Sequence, residues 1–573
     1  MMSEVYLVIY SMADLCLAPI ETIVTLFTIK YCESPISIKL IPSERDLKEQ
    51  AYMIDLTNFV YEIVNVNENE IPYYASLCEL PIVTANDSCM AGLCTVLRQI
   101  VKSAPKCLLH TTKLLGFKDS CLIACSEASV WTKFCEVDLI LTLKSFDTKD
   151  SEKSVLPVSL ARFECHMSQP VKLHNLYKYT MSKKFAALDI TKWDKTALPE
   201  HKYVENVYIT LSDIIIFVCM HILLNMFPSQ MISELVPLTT KWYNVMLADQ
   251  FITRCLSCLR SSTSHISDVL QYTLPVVVNE SLYKKDTKRY KPRNRIFTRQ
   301  EDIEHSLQLV ESMKILMQLD MEPFGAEVNL DWSNIPFDAT PAGGSLPLAR
   351  LQQKQEQLQN LCKPVLKLAK AGDTIVDFCS GGGHLGILMA YLLPRCTVIL
   401  LENKEESLNR AKERVRKLKL TNVKFCQCNL TYFKGDFDIG TSLHACGLAT
   451  DLVIQRCIRK NAIFVSCPCC YGALRDGHEI TYPRSKAFKE HVNNKEYSYL
   501  SHAADQTHDE RNIKTKQGYR CMTIIDTDRK LFAEQCGYKV YLAKLNPETC
   551  TLKNHLLVGI PRDKLTHDNS CDN

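Results

Sequence analysis

The spacing of apolar positions changes rhythm along the chain, and each change marks a unit. In the first hundred residues, VYLVIYS (5–11) and SPISIKLIPS (34–43) alternate as strands do, whereas LAPIETIVTLFTIKYC (17–32) has the spacing of a helix. LPIVTAND (80–87) then reads as a further strand ahead of SCMAGLCTVLRQIVK (88–102), a second helical run. The pattern predicts βαβ, one more strand and a helix. From about 105 to 265 the alternation disappears and helical runs take over: FKDSCLIACSEASVWTKFCE (117–136), TLSDIIIFVCMHILLNMF (210–227) and LVPLTTKWYNVML (235–247). Within that half, 145–200 is polar and weakly periodic, the mark of an insertion.

Alternation of strands and helices returns after the small-residue stretch TPAGGSLPL (340–348), which reads as a hinge. Strands are predicted at TIVDF (374–378), TVILLE (397–402), VKFCQCNL (423–430), FDIGTSL (437–443) and NAIFVS (461–466), with GYKVYLAKL (537–545) and HLLVGIP (555–561) as a terminal hairpin. The predicted organisation is α/β and multidomain, with boundaries at 1–104, 105–265, 266–339, 340–562 and a polar tail, 563–573.

Composition narrows the classes. Sixty-seven Lys+Arg against 64 Asp+Glu leave a formal charge of +3, so there is no global polycation, and nucleic-acid binding needs a local patch. One exists at 284–299, KKDTKRYKPRNRIFTR, which reads as a basic tether or as an RNA contact with Tyr290 and Phe297 stacking on bases. The longest apolar stretch, Ile214 to Leu224, is too short to span a membrane and contains His221, so no membrane partner is expected. Twenty-seven cysteines, an odd count, with Glu4 ahead of the first apolar run and no basic residue before Lys30, suggest reduced thiols and a cytoplasmic location.

Glycine is scarce, 18 in the chain, so the cluster in DFCSGGGHLG (377–386) stands out. A strand, a glycine-rich turn and a helix let backbone approach a ligand at a helix N-terminus, and Glu402, ending the next strand, is placed to accept both hydroxyls of a ribose. This order resembles the S-adenosylmethionine-dependent methyltransferase family, with its Rossmann-like, seven-stranded sheet ending in an antiparallel hairpin. The resemblance implies S-adenosylmethionine as cofactor, with Asp377, Gly381 and Gly383 in the first motif, Glu402 as the ribose acid and Asn429 near the adenine amino group. Cys379 and Ser380 depart from the usual small residues there. A nicotinamide dinucleotide fold fits the glycine spacing and the hairpin poorly, and a cofactor-free version conflicts with retention of the whole motif.

LHACG (443–447) and SCPCCYG (466–472) fall at carboxyl ends of strands, where a substrate approaches. Three readings stay open for His444, Cys446, Cys467, Cys469 and Cys470: zinc, an acceptor pocket, or small core-filling thiols. Neither segment has the CxxC spacing of common zinc ribbons, so no metal is assigned. The pocket reading makes His444 a base and Tyr471 a stacking platform, both catalytic, with Cys446, Cys469 and Cys470 lining the pocket. Both motifs resemble a branch of cytosolic methyltransferases, of which some relatives act on RNA.

The first 265 residues resemble the glutathione S-transferases, a thioredoxin-like domain followed by an all-α domain. By that likeness Pro81 is the cis proline, and Asp87-Ser88 the pair holding the γ-glutamyl end of glutathione at a helix N-terminus. Thr210-Leu211-Ser212-Asp213 is the capping box, and Pro237 to Trp242 belong to the proline-to-tryptophan helix. Only three residues separate Val83 from Asp87, too few for the family's hairpin, and Tyr10, Ser11 and Cys16 give no convincing nucleophile, so glutathione catalysis is not expected. CLSC (255–258) reads as core packing. The expectation is therefore a methyltransferase acting on RNA or protein, with the helical domain recruiting a protein partner or the substrate. The alternatives are a glutathione-binding transferase and a non-catalytic scaffold.

Overall fold

The computed structural model describes the chain except residues 1, 2, 12, 47, 65–72, 86, 87, 128, 147–154, 170, 172–200, 206, 207, 261–271, 280, 284–297, 326–328, 345, 508–513 and 566–573. Most of the basic run, the greater part of the 145–200 insertion, Asp87 and the end of the tail lie outside the described residues. Two compact units, Met1–Asp286 and Thr287–Asn573, divide the chain.

In the first unit, β1 (Glu4–Ile9) and β3 (Ser37–Pro42) run parallel through helix α1 (Ile20–Cys32). On the other side of β1 lies the antiparallel β6 (Ile82–Ala85), which pairs in turn with β7 (Ser88–Ala91); helix α2 (Leu93–Ser103) follows. The predicted βαβ is present, but 88–91 is a strand and not the start of a helix. Ala85 pairs with Ser88, so Ser88 lies within this hairpin and not beyond it. A second antiparallel pair, β2 (Leu15–Ala18) with β4 (Tyr52–Asp55), and the edge strand β5 (Tyr61–Ile63) are additions.

The following half of the unit is helical as expected, though the 117–136 run is not one helix. Lys118, Asp119 and Leu122 take positive φ (50°, 54° and 52°), so regular helix starts only at Val130. Helices α3 (Val158–Ser168), α4 (Leu211–Leu224) and α5 (Pro237–Leu247) follow. The capping box forms: buried Asp213 accepts from the Thr210 amide at 2.9 Å. Its other oxygen accepts from the Val204 amide at 2.9 Å and Trp242 Nε1 at 3.1 Å, tying α4 to α5. Burial pushes this carboxyl up to about 6.

The second unit starts well before residue 340. Helix α6 (Gln300–Ser312) buries Ile303, Leu307 and Val310, and Thr298 meets His502 at 3.0 Å, so the expected linker 266–339 is in part folded structure. Helix α7 (Leu351–Leu368) turns Leu358, Leu361, Cys362 and Val365 inward at helical spacing. Then β8 (Thr374–Phe378), β9 (Thr397–Leu401), β10 (Val423–Gln427), β11 (Ile439–Ser442) and β12 (Ile463–Ser466) alternate with α8 (His384–Leu392), α9 (Glu405–Leu418) and α10 (Leu448–Arg459). After α11 (Asn494–Ala504) and α12 (Thr515–Gln535), β13 (Tyr538–Lys544) and β14 (His555–Pro561) form the hairpin. Across this unit the order is β10-β9-β8-β11-β12-β14-β13. The first five are parallel, and β14 inserts antiparallel to β12. The chain reverses direction across the sheet between β8 and β11, and ligands of doubly wound sheets bind at the carboxyl ends beside such a switch point. Among the described residues no helix is long and apolar enough to cross a membrane.

Candidate functional site

At the end of β8, Cys379, Gly381 and Gly383 take positive φ (54°, 56° and 74°) and swing the chain into α8. Asp377 holds this turn from beneath, its Oδ2 accepting from the Gly386 amide at 2.9 Å. With 2% exposure, it positions the loop and does not face a ligand directly. Gly386 lets α8 close on the sheet: a Cβ there would sit 2.1 Å from Leu400 Cδ2. Gly386→Ala is expected to cost ~1–3 kcal/mol by overpacking, read as a lower urea midpoint; an unchanged midpoint counts against this packing role.

Gly381 differs, because a Cβ there meets nothing within 4 Å. The loop leaves open space at this point. Its amide donates to Glu402 Oε2 at 2.8 Å, while Oε1 accepts from the Lys404 amide at 2.9 Å. Each carboxylate oxygen keeps a further acceptor site for a hydroxyl. Ser380 Oγ is buried without a hydrogen-bond partner among the described residues, a polar atom waiting in the same loop. Asn429, past β10, joins this edge through Asn403, whose Nδ2 donates to Asn429 Oδ1 at 3.5 Å.

Burial raises the Asp377 carboxyl to about 7. A folded-state value above the unfolded one means that the folded chain holds the proton longer. Stability present near pH 4 is therefore lost as the pH rises to about 7, by roughly 3–4 kcal/mol. Asp377→Asn removes the titration and keeps an acceptor for Gly386. Its unfolding free energy is expected to exceed the native chain's by a margin that grows from pH 5 to 8, whereas parallel pH profiles would refute this.

Arg414 of α9 was not anticipated. Buried at 3% exposure, it donates to the carbonyls of Asp338 (2.9 Å), Gly382 (2.9 Å) and Thr340 (3.0 Å). One guanidinium thus ties the 338–344 segment to the glycine loop, so the expected hinge is a fixed wall at its start. A Cβ on Gly344 would lie 2.0 Å from His384 Cε1, and burial pushes that imidazole down to about 3. The sequence signal was an arginine within the buried stripe Leu408, Ala411, Val415.

On the other side of the switch point, the segments after β11 and β12 meet through a parallel bridge, Cys446 with Cys469. His444 Nε2 lies 2.5 Å from Lys354 Nζ. An ammonium only donates, so the imidazole lone pair is engaged and His444 is no free base while Lys354 holds its proton. Burial pushes Lys354 down to about 8. Cys446 and Cys470 are exposed and Cys469 is half-buried. Hydrogen bonds from Cys469 and Cys470 hold the Cys446 thiol below its usual range, and the same contacts push the other two up.

Tyr471 does not stack on substrate. It is fully buried, its hydroxyl donating to Asp526 Oδ2 at 2.6 Å. Asp526 also meets His555 Nδ1 at 2.7 Å and Arg529 Nη1 at 2.9 Å, and Arg529 Nη2 reaches Asp451 Oδ2 at 2.7 Å. Tyr482 donates to that same Asp451 oxygen at 2.7 Å. This closed network anchors the 466–472 segment.

In the first unit, the Leu80-Pro81 bond is cis. Ser88 sits inside β7 and not at a helix N-terminus. Helix α2 follows Gly92, and its Cys94 amide donates at 3.0 Å to buried Glu136 Oε1. A carboxylate of the chain itself thus caps the first turn of α2. The Cys16 thiol is pushed up by burial and donates to Ser11 O at 2.9 Å, which leaves it unactivated. Burial likewise raises Cys255 to about 12 and Cys258 to about 11, as core thiols.

The sheet order and the glycine loop define a methyltransferase-type α/β domain. A family model described as "Methyltransferase domain" matches residues 352–477. The chain is 40% identical to the glutathione S-transferase C-terminal domain-containing protein homolog of Drosophila melanogaster, over 94% of this chain and 95% of that protein. To the human protein of that name it is 32% identical, over 95% of this chain and 96% of that one. It belongs to the family of glutathione S-transferase C-terminal domain-containing proteins. Among solved structures, a SAM dependent methyltransferase from Aquifex aeolicus aligns with 36% of this chain and 96% of its own at 13% identity, with a TM-score of 0.21.

Proposed function

We propose that the second unit is an S-adenosylmethionine-dependent methyltransferase. The observation that carries this reading is Glu402, held at the end of β9 by the Gly381 and Lys404 amides with acceptor sites to spare beside the open space at Gly381. The unpartnered Ser380 Oγ in the same loop supports it. Glu402 would hold the ribose, Gly381 and Gly383 the backbone approach, and Asn429 the adenine side, with Asp377 fixing the loop. When bound, the cofactor supplies an electrophilic methyl group. The acceptor, RNA or protein, would enter over the rim formed by His444, Cys446, Cys469 and Cys470. Burial and Lys354 push the His444 imidazole down to about 4, so once Lys354 has lost its proton that amine is the stronger base of the pair and would take a proton from the acceptor.

The first unit is proposed as a thioredoxin-like domain joined to a glutathione S-transferase-like helical domain that recruits a partner protein or the substrate. The β1-α1-β3 and β6-β7-α2 order supports this, as do the Thr210 capping box and the Asp213–Trp242 bond. The eight Lys and Arg of 284–299 support RNA as a ligand, and an odd count of cysteines suits the cytoplasm. Calorimetric titration of S-adenosylmethionine and S-adenosylhomocysteine into the full chain tests the central reading. One site per chain is expected, and a folded chain that binds neither refutes it.

A further inference from the structure

Cys446, Cys469 and Cys470 have no task in cofactor binding, and core filling does not explain them, because Cys446 and Cys470 are exposed. Backbone geometry brings them together. The Cys446–Cys469 bridge and a 3.1 Å bond from the Gly447 amide to Cys469 O zip the two segments past their strand ends. Successive side chains of an extended segment point to opposite sides. Cys470, however, takes a left-handed conformation (φ 54°) that breaks this alternation. The Cys446 and Cys469 sulfurs are 3.4 Å apart, and all three Sγ atoms lie within 4.8 Å of one another. Zinc–sulfur bonds of about 2.3 Å at the tetrahedral angle require sulfurs about 3.8 Å apart, inside that spread.

We infer that Cys446, Cys469 and Cys470 form a three-thiolate site for a soft divalent cation, zinc, whose fourth coordination position is open at the rim. The all-sulfur donor set selects zinc over magnesium or calcium, which take oxygen. Among the described residues no fourth His, Cys, Asp or Glu joins the cluster, the pattern of zinc sites that accept an outside ligand. Three thiolates and zinc carry one net negative charge. Lys404 acts on Cys446, and Lys553 on Cys470, as the neighbouring cations; Asp505 opposes them at Cys446. The segment is held firmly enough to keep this geometry, because Tyr471, next in sequence, is locked to Asp526. CxxC spacing misses such a site, since one ligand comes from the end of β11 and two from the end of β12.

The test uses the full chain, reduced, loaded with zinc and freed of excess, with metal counted by mass spectrometry. One zinc per chain is expected, and cobalt in its place should show sulfur-to-metal charge-transfer absorption. The triple variant Cys446→Ser, Cys469→Ser, Cys470→Ser should lose both signals, and Cys470→Ser alone should weaken binding by at least about 100-fold. Cys536→Ser, an exposed thiol elsewhere in the unit, should change nothing. Circular dichroism and urea unfolding show that the variants are folded, and S-adenosylmethionine titration of the same variants reads the cofactor site separately. Well under one zinc on the folded native chain overturns the inference. So does an unchanged zinc content in the triple variant, or a Cys446–Cys469 disulfide that reduction in the presence of zinc does not convert.

Discussion

Glu402→Ala is expected to weaken S-adenosylmethionine binding by about 100-fold or more while the chain stays folded. Hydrogen bonds to an ionised carboxylate are each worth roughly 1.5–3 kcal/mol, and two ribose hydroxyls would lose their acceptors together. The variant also frees the Gly381 amide, since Glu402 Oε2 accepts from it at 2.8 Å, so the loop loses its tether on the ligand side. Glu402→Gln keeps one carbonyl acceptor and should fall between the two. Calorimetry of the native chain and both variants reads the series. Equal affinity across all three would remove Glu402 from the site and with it the strongest support for the methyltransferase reading.

Arg529→Met should be the most damaging single change to stability. The guanidinium is buried at 1% exposure between Asp451 at 2.7 Å and Asp526 at 2.9 Å. Removing one member of a buried ion network strands the others and costs about 3–5 kcal/mol, a large share of the ~5–15 kcal/mol that keeps a domain folded. His555 and Tyr471 lean on Asp526, so the loss should spread to the 466–472 segment. Tyr471→Phe, which removes one donor and leaves the charges paired, should cost only about 1–3 kcal/mol. Urea unfolding of both variants tests the ranking. An Arg529→Met chain as stable as the native one would show that the network contributes no net stability.

What could be read from the sequence was what is local. The β-branched runs of β8, β9, β11 and β12, each fenced by polar or glycine residues, gave away the parallel core. Asp377, Gly381 and Glu402 stood out because one strand-turn-helix-strand unit carries all three. Tyr471 was misread because its partner Asp526, and the His555 that meets the same carboxylate, come from α12 and β14, much later in the chain. Lys354 was overlooked for the same reason: on an exposed-looking helix of Gln and Lys, nothing marks the lysine that turns inward to His444. In the first unit, Ser88 was assigned to a helix because SCMAGLC carries apolar residues at either period, and pairing with β6 decided in favour of a strand.

The Arg414 clamp bears on where such a domain can be cut. The match to the methyltransferase family model begins at residue 352, yet two of the three carbonyls that Arg414 serves, those of Asp338 and Thr340, precede it. A gene trimmed to the matched stretch would encode a buried guanidinium with most of its acceptors deleted. The smallest self-sufficient piece of this domain is therefore longer than the matched stretch, and its boundary lies ahead of Asp338.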